Sequence, residues 1–297
     1  MYFHYAGLTD TGMLRDHNED DYQLPQDPGD GSLITKGHLY VLADGMGGHQ
    51  KGEIASAVTV KSVPTEYYAH ISDLQDSDHE VGIATALSEA IAKADNAVLE
   101  ATKGGGTTVV TAVLHTDLLV MMNVGDSRAY LLRDDELQLI SRDHSLVSRL
   151  VEMGKISPEE ALTHPRRNVL YQALGQGQGV ELEIHKFIAK VQPGDTIILC
   201  SDGLWGEIGD GTIKQVLMTM TSPQTAVQKL IRLANEAGGS DNITVIIIHI
   251  SDKKFLPDEE TVEVEITTPT PEDTQPSSTI VGQLKPNTLP EGKYYTE

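Results

Sequence analysis

The sequence predicts an α+β fold in which helices cover sheets of largely antiparallel strands. Short, wholly apolar runs that read as buried strands cluster in the middle of the chain, and long helix-like segments lie between and around them. The tight turn Arg133-Asp134-Asp135-Glu136 joins consecutive strand-like runs, which points to antiparallel pairing.

In chain order, the predicted strands are Leu39 to Ala43, Thr107 to Leu114, Leu118 to Val124, Ala129 to Leu132, Thr196 to Cys200 and Ile243 to Ile250. Val81 to Thr102 reads as a helix because Ile83, Leu87, Ile91, Ala94 and Val98 recur at three- or four-residue steps. A second helix starts at Ser222-Pro223, a cap followed by a first-turn proline. It presents Val227, Leu230, Ile231 and Ala234, and stops at Gly238-Gly239. A less regular helix follows Gly52, with Ile54 and Val58 inward.

Composition narrows the function classes. The net charge of −22 repels nucleic acid and anionic membrane surfaces. Apolar runs such as Val245–Ile248 are strand-sized, far short of the ~20 residues a membrane helix needs. Met1-Tyr2-Phe3-His4 lacks the basic start and apolar stretch of a signal peptide, so a cytoplasmic protein is expected. The single cysteine, Cys200, lies in the apolar run from Ile197 and reads as a buried strand thiol rather than a nucleophile. Residues 251–297 hold ten acids and four lysines and little apolar periodicity. They read as an acidic Pro/Thr/Glu-rich disordered tail behind a domain over 1–250.

The acids that carry chemistry share one context: each adjoins a strand-like run and a Gly, Ser or Asn turn. Asp44 ends Leu39 to Ala43, Asp126 follows the run from Leu118, Asp202 follows Thr196 to Cys200, and Asp241 precedes Asn242 and the last strand. Carboxylates converging at a sheet edge would repel unless a cation neutralised them. Hard divalent ions take such oxygen ligands, and no His or Cys pattern for zinc is present. Singly, each Asp-Gly equally marks a turn. The cluster Arg15-Asp16-His17-Asn18-Glu19-Asp20-Asp21 reads either as a charged surface loop or as a phosphate-binding arginine beside metal ligands. Asp44-Gly45-Met46-Gly47-Gly48-His49 reads as a loop whose backbone approaches something closely; it is not a nucleotide-binding loop.

Taken in order, Arg15-x-x-Asn18-Glu19-Asp20, Asp44-Gly45-x-Gly47-Gly48, Gly106-Thr107-Thr108, Gly125-Asp126-Ser127-Arg128, Ser201-Asp202-Gly203 and Asp241-Asn242 resemble the metal-dependent Ser/Thr protein phosphatases of type 2C. Asp143-His144-Ser145-Leu146 and His164-Pro165-Arg166-Arg167-Asn168 are similar to the flap segment of bacterial members. The resemblance spans about residues 5 to 250 and implies a four-layer α/β/β/α sandwich, two central antiparallel sheets flanked by helices. It further implies two Mn2+ or Mg2+ ions and a third, weaker one. Asp44 would bridge the pair, Asp202 and Asp241 would hold the first ion, and Glu19, Asp20 and the Gly45 carbonyl would serve the second. Asp126 would help hold the third, and Arg15 would clamp the phosphate. Where animal members carry His between the glycines this chain has Met46, so His49 becomes the expected leaving-group acid.

The expected reaction is hydrolysis of phosphoserine and phosphothreonine in proteins by an activated water, without a phosphoenzyme. The expected partners are phosphorylated proteins, substrates of a cognate Ser/Thr kinase, and the chain is expected to be a monomer. A regulatory phosphoprotein-binding module is the alternative, which loss of Asp44, Asp202 or Asp241 would have favoured. Within residues 143–175, Arg166 and Arg167 are expected to meet the phosphoprotein as part of a mobile flap.

Overall fold

The structure, a computed structural model, describes residues 1–26, 32–47, 50–71, 79–177 and 182–253. Along the chain run β1 (Tyr2–Asp10), β2 (Asp20–Gln23), α1 (Ser32–Lys36), β3 (His38–Met46), α2 (Gln50–His70) and α3 (His79–Thr102). Then come β4 (Gly106–Thr107), β5 (Val109–His115), β6 (Leu118–Val124), β7 (Arg128–Arg133), β8 (Glu136–Leu139), α4 (Leu146–Glu152) and α5 (Pro158–Leu162). The chain continues with β9 (His185–Lys190), β10 (Thr196–Cys200), α6 (Asp202–Met218), α7 (Pro223–Ala237) and β11 (Ile243–Ser251).

The strands form two sheets, one in the order β1-β11-β10-β7-β8 and one in the order β2-β3-β5-β6-β9 with β4 on β3. All the pairings are antiparallel. Side chains alternate across each strand, so β11 sends Ile246, Ile248 and Ile250 between the sheets and Val245 and Ile247 outward. Tyr40, Leu42, Val110 and Leu119 meet the first set from the opposite sheet. Outside one sheet, Val41, Val109 and Val113 pack on Val63, Tyr67, Leu87 and Ile91 of α2 and α3. Outside the other, Ile198 and Cys200 pack on Leu204, Ile213, Leu230 and Ile231 of α6 and α7. Three apolar layers between four layers of structure make the α/β/β/α sandwich. Each fully buried branched side chain contributes roughly 1.5–3 kcal/mol. Cover on both faces explains why antiparallel strands here are continuously apolar rather than alternating.

The predicted strand Leu118 to Val124 matches β6 and Thr196 to Cys200 matches β10 at both ends. The two longest predicted helices match α3 and α7, and Ser222 caps α7 by accepting the Thr225 amide. Three expectations need correction. Ile54, expected to face inward, is 42% exposed, because the buried stripe of α2 runs through Ala55, Thr59, Val63 and Tyr67 at four-residue steps and leaves Ile54 beside it. Asp44 does not end its strand: β3 continues through Gly45 and Met46, which pair with Thr107 and Gly106 of β4. The Gly-rich stretch is therefore extended up to Met46, because the neighbouring strand continues to offer partners. The predicted single strand from Thr107 is interrupted at Thr108, whose hydroxyl accepts the Asp44 amide at 3.0 Å and so replaces a backbone ladder bond. Gly48 and His49, and the expected tail from residue 254 onward, lie outside the described residues. Among the described residues no helix is long and apolar enough to cross a membrane.

Candidate active site

Five chain segments bring the predicted acids to one end of the sandwich. In the β2–β3 pair, Asp20 stands opposite Asp44. Asp126 sits in the turn between β6 and β7, and Asp202 opens α6 directly after β10. Asp241 lies in the turn between α7 and β11. Asp20 and Asp126 are buried; Asp44, Asp202 and Asp241 are half-buried.

Their electrostatics show that they share one place. Removal from water raises the Asp44 carboxyl well above its usual range, and the charges of Asp20, Asp202, Asp126 and Asp241 raise it further. Asp126 is raised by burial and then by Asp202 and Asp143. Burial lifts Asp20 to about 7 against hydrogen bonds from Thr244 and Ser201, with Asp202 and Asp241 adding to the rise. Asp202 is raised to about 6, by burial and then by Asp241, while Arg15 and a side-chain hydrogen bond with Asp44 oppose the shift.

Hydrogen bonds fix the backbone beneath these carboxylates. Thr244 donates its hydroxyl to Asp20 Oδ2 at 2.7 Å, while Asp20 Oδ1 is buried with no hydrogen-bond partner among the described residues. Thr108 accepts the Asp44 amide through its side chain, donates its own amide to the Asp44 carbonyl at 2.8 Å, and bonds the Ser127 hydroxyl at 2.7 Å. It thus ties Asp44 to the turn that carries Asp126. Asn242 accepts the Glu19 amide at 2.8 Å and donates to the carbonyls of Thr11 and His17, both at 2.9 Å. This clips the Arg15–Glu19 loop to Asp241. Two glycines are required by close approach: a Cβ on Gly45 would collide with the carbonyl oxygens of Gly52 and Glu19, and one on Gly203 with that of Asn242.

Arg15 Nη2 donates to Asp241 Oδ2 at 2.7 Å from a half-exposed position at the rim, and feels the charges of Glu19 and Asp202 as well. The Glu19 carboxylate lies against Gly52 in the first turn of α2, where the helix dipole favours negative charge. Arg15, Glu19, Asp20, Asp44, Gly45, Asp126, Asp202 and Asp241 are therefore brought together. Arg166 and Arg167 are exposed beyond α5, outside the group of residues brought together. Cys200 is buried under α6, and burial pushes its thiol up, which removes it as a nucleophile. Sequence reasoning missed Thr108, Thr244 and Asn242 as positioning groups; Thr108 and Asn242 carried a signal, their places in Gly106-Thr107-Thr108 and Asp241-Asn242, and Thr244 carried none.

The donor set is entirely oxygen, which suits a hard divalent cation, and the partnerless buried Asp20 Oδ1 is a free ligand atom. As placed, no three Asp, Glu, His or Cys side chains among the described residues are grouped tightly enough to hold an ion. Asp44 and Asp202 instead share a hydrogen bond, and Asp241 is drawn to Arg15. Mutual repulsion accounts for this arrangement, and a cation would replace both compensations.

The raised carboxyls give stability a definite pH dependence. The unfolded chain releases these protons near ~4, whereas the native chain holds them up to about 6 at Asp202 and about 7 at Asp20. Their contribution is full below the lower limit and lost as pH rises through the upper ones. In chelator-treated protein the urea midpoint is expected to fall between about pH 4.5 and about pH 7.5, and Mn2+ is expected to restore more stability at the higher pH. A midpoint that rose across that interval without metal would contradict the cluster.

Comparison with known proteins identifies the family. A family model described as protein phosphatase 2C matches residues 16–237. The serine/threonine phosphatase Stp of Listeria innocua is 34% identical over 250 residues, covering 82% of this chain and 95% of the relative. The structure of the S. agalactiae serine/threonine phosphatase superposes with a TM-score of 0.75 at 32% identity, covering 84% of this chain and 100% of that one. The catalytic domain of the serine/threonine protein phosphatase PstP, solved with two manganese ions, gives 0.68 at 32% identity over 84% of this chain and 99% of its own. The chain belongs to the protein phosphatase 2C family of metal-dependent serine/threonine phosphatases.

Proposed function

We propose that this site hydrolyses phosphoserine and phosphothreonine in proteins. The observation that carries the reading is the single Asp44 carboxyl that feels four other carboxyls, from three further segments of the chain and from its neighbouring strand, two of which, Asp202 and Asp241, also act on Arg15. With two Mn2+ or Mg2+ ions bound, Asp44 would be shared between them, Asp202 and Asp241 would hold the first, Glu19, Asp20 and the Gly45 carbonyl would serve the second, and Asp126 would help hold a third. When bound, such ions polarise the phosphate and acidify water.

The chain's own groups do the rest. Arg15 offers a planar fork to the phosphate oxygens and donates to Asp241, so the substrate clamp and a metal ligand from two separate segments are held side by side. The clips from Asn242 and Thr108 hold the carboxylates without loss of order during turnover. No side-chain nucleophile is needed, in keeping with the buried Cys200. His49 is the proposed proton donor to the departing serine or threonine oxygen. Arg166 and Arg167 are proposed to meet the phosphoprotein around the phosphorylated residue. In this reading residues 1–250 form the catalytic domain, 251–297 a tail, and the protein works as a cytoplasmic monomer in signalling, opposite a Ser/Thr kinase.

The test is Mn2+-dependent turnover of a phosphothreonine peptide. Asp202→Ala is expected to lower kcat/KM at least about a hundredfold. Dephosphorylation that persisted after thorough chelation, or an unaffected Asp202→Ala, would refute the reading. Replacing Arg166 and Arg167 with alanine is expected to slow phosphoprotein turnover several-fold more than that of a small aryl phosphate; equal effects would remove the substrate role of this pair.

A further inference from the structure

Arg128 opens β7 two residues after Asp126, and the reaction as described leaves it without a task. Its side chain is nevertheless the most heavily engaged cation among the described residues. Nε donates to both oxygens of Asp143 at 3.1 and 3.2 Å, and Nη2 donates to Asp143 Oδ2 at 2.7 Å. Nη1 donates to the Tyr130 hydroxyl at 3.1 Å and stands 3.5 Å from Asp210. The guanidinium plane stacks on the Trp205 indole, 3.6 Å from the ring centre. That same indole donates Nε1–H to the Asp126 backbone carbonyl at 3.1 Å.

The two ends of this network lead to different places. Trp205 leads to the turn that carries Asp126. Asp143 leads to the root of the segment that carries Arg166 and Arg167. That root is closed by backbone bonds from Leu146 to the Val169 carbonyl at 2.7 Å and from Tyr171 to the His144 carbonyl at 2.9 Å. It is bolted to the same turn by buried His144, whose amide donates to the Gly125 carbonyl at 2.9 Å and whose Nδ1 accepts the Gly125 amide at 3.2 Å. The Arg128–Asp143 pair is largely buried, at 17% and 11% side-chain exposure, so it is shielded from the screening that makes surface pairs weak.

We infer that Arg128 is a positioning residue which, beside the His144 bolt, locks the root of residues 143–171 to the Asp126 turn, so that one guanidinium couples the aim of Asp126 to the station of Arg166 and Arg167. The inference rests on the phosphatase reading for its functional meaning, though the lock itself is independent of it. The chemistry demands arginine: a lysine would keep the charge but lose both the fork on Asp143 and the flat face on Trp205.

The test compares the wild-type chain with R128K, with hydrogen exchange and turnover as the two readouts. Amides of Leu146 and Tyr171, whose bonds close the root, are expected to exchange about tenfold or more faster in R128K, while those of β5 and β11 stay protected. The ratio of phosphoprotein to small aryl phosphate turnover is expected to fall about fivefold or more, beyond any common loss. Unchanged exchange at the root, exchange that quickens uniformly over both sheets, or root loosening with an unchanged ratio would each overturn the proposal. Should R128K fail to fold, Asp143→Asn, which keeps the shape and breaks the charge pair, is read by the same criteria. If the wild type showed no phosphatase activity the functional reading would fail, and the exchange arm would still decide the lock.

Discussion

The structure is organised around the repulsion among carboxylates held close together out of water. Asp20, Asp44, Asp126, Asp202 and Asp241 cannot all be ionised in one place without a counter-charge. Left to the chain's own resources, they take up protons, share a hydrogen bond between Asp44 and Asp202, and draw Arg15 onto Asp241. Each is a partial remedy that a divalent cation would supply in full. Function and instability thus have the same source, as is usual where charged groups are kept together for catalysis.

The sandwich makes this crowding possible. Its three apolar layers hold the two sheets in register, and the acids come from where strands end or turn at one rim, with Asp20 and Asp44 facing each other across a strand pair. Small polar groups then convert sheet register into side-chain aim. Thr108 joins Asp44 to the Asp126 turn, Thr244 of β11 orients Asp20, and Asn242 fastens the Arg15 loop beside Asp241. Gly45 and Gly203 let backbones from different segments approach more closely than any side chain would permit.

Much of this was legible in the amino-acid order, for identifiable reasons. Leu118 to Val124 and Thr196 to Cys200 are covered on both faces, so apolarity alone marks them. β2 is different: Asp20-Asp21-Tyr22-Gln23 reads as a charged loop and becomes a strand only because β3 offers it partners. β1 carries no clear strand signal because its buried and half-exposed positions mix, and its pairing with β11 lies more than two hundred residues away. α6 was hidden by Gly203, Gly206, Gly209 and Gly211, which weaken helix propensity; packing of Leu204, Ile213, Val216 and Leu217 overrides them, with a break at Gly209. At the site, the acids were legible because their type and spacing are distinctive. Thr244 and Trp205 were not, and Thr108 was marked by its motif without its task, because a hydroxyl or an indole acquires its task only once distant segments meet.

The central claim is that these carboxylates form one cation site in which Asp44 is the shared member. Calorimetric titration of Mn2+ into the wild-type chain and Asp44→Asn tests it most directly. The account predicts uptake of at least about two ions by the wild type, and weakening of both by about tenfold or more in the variant. Two undiminished binding events in Asp44→Asn would contradict it.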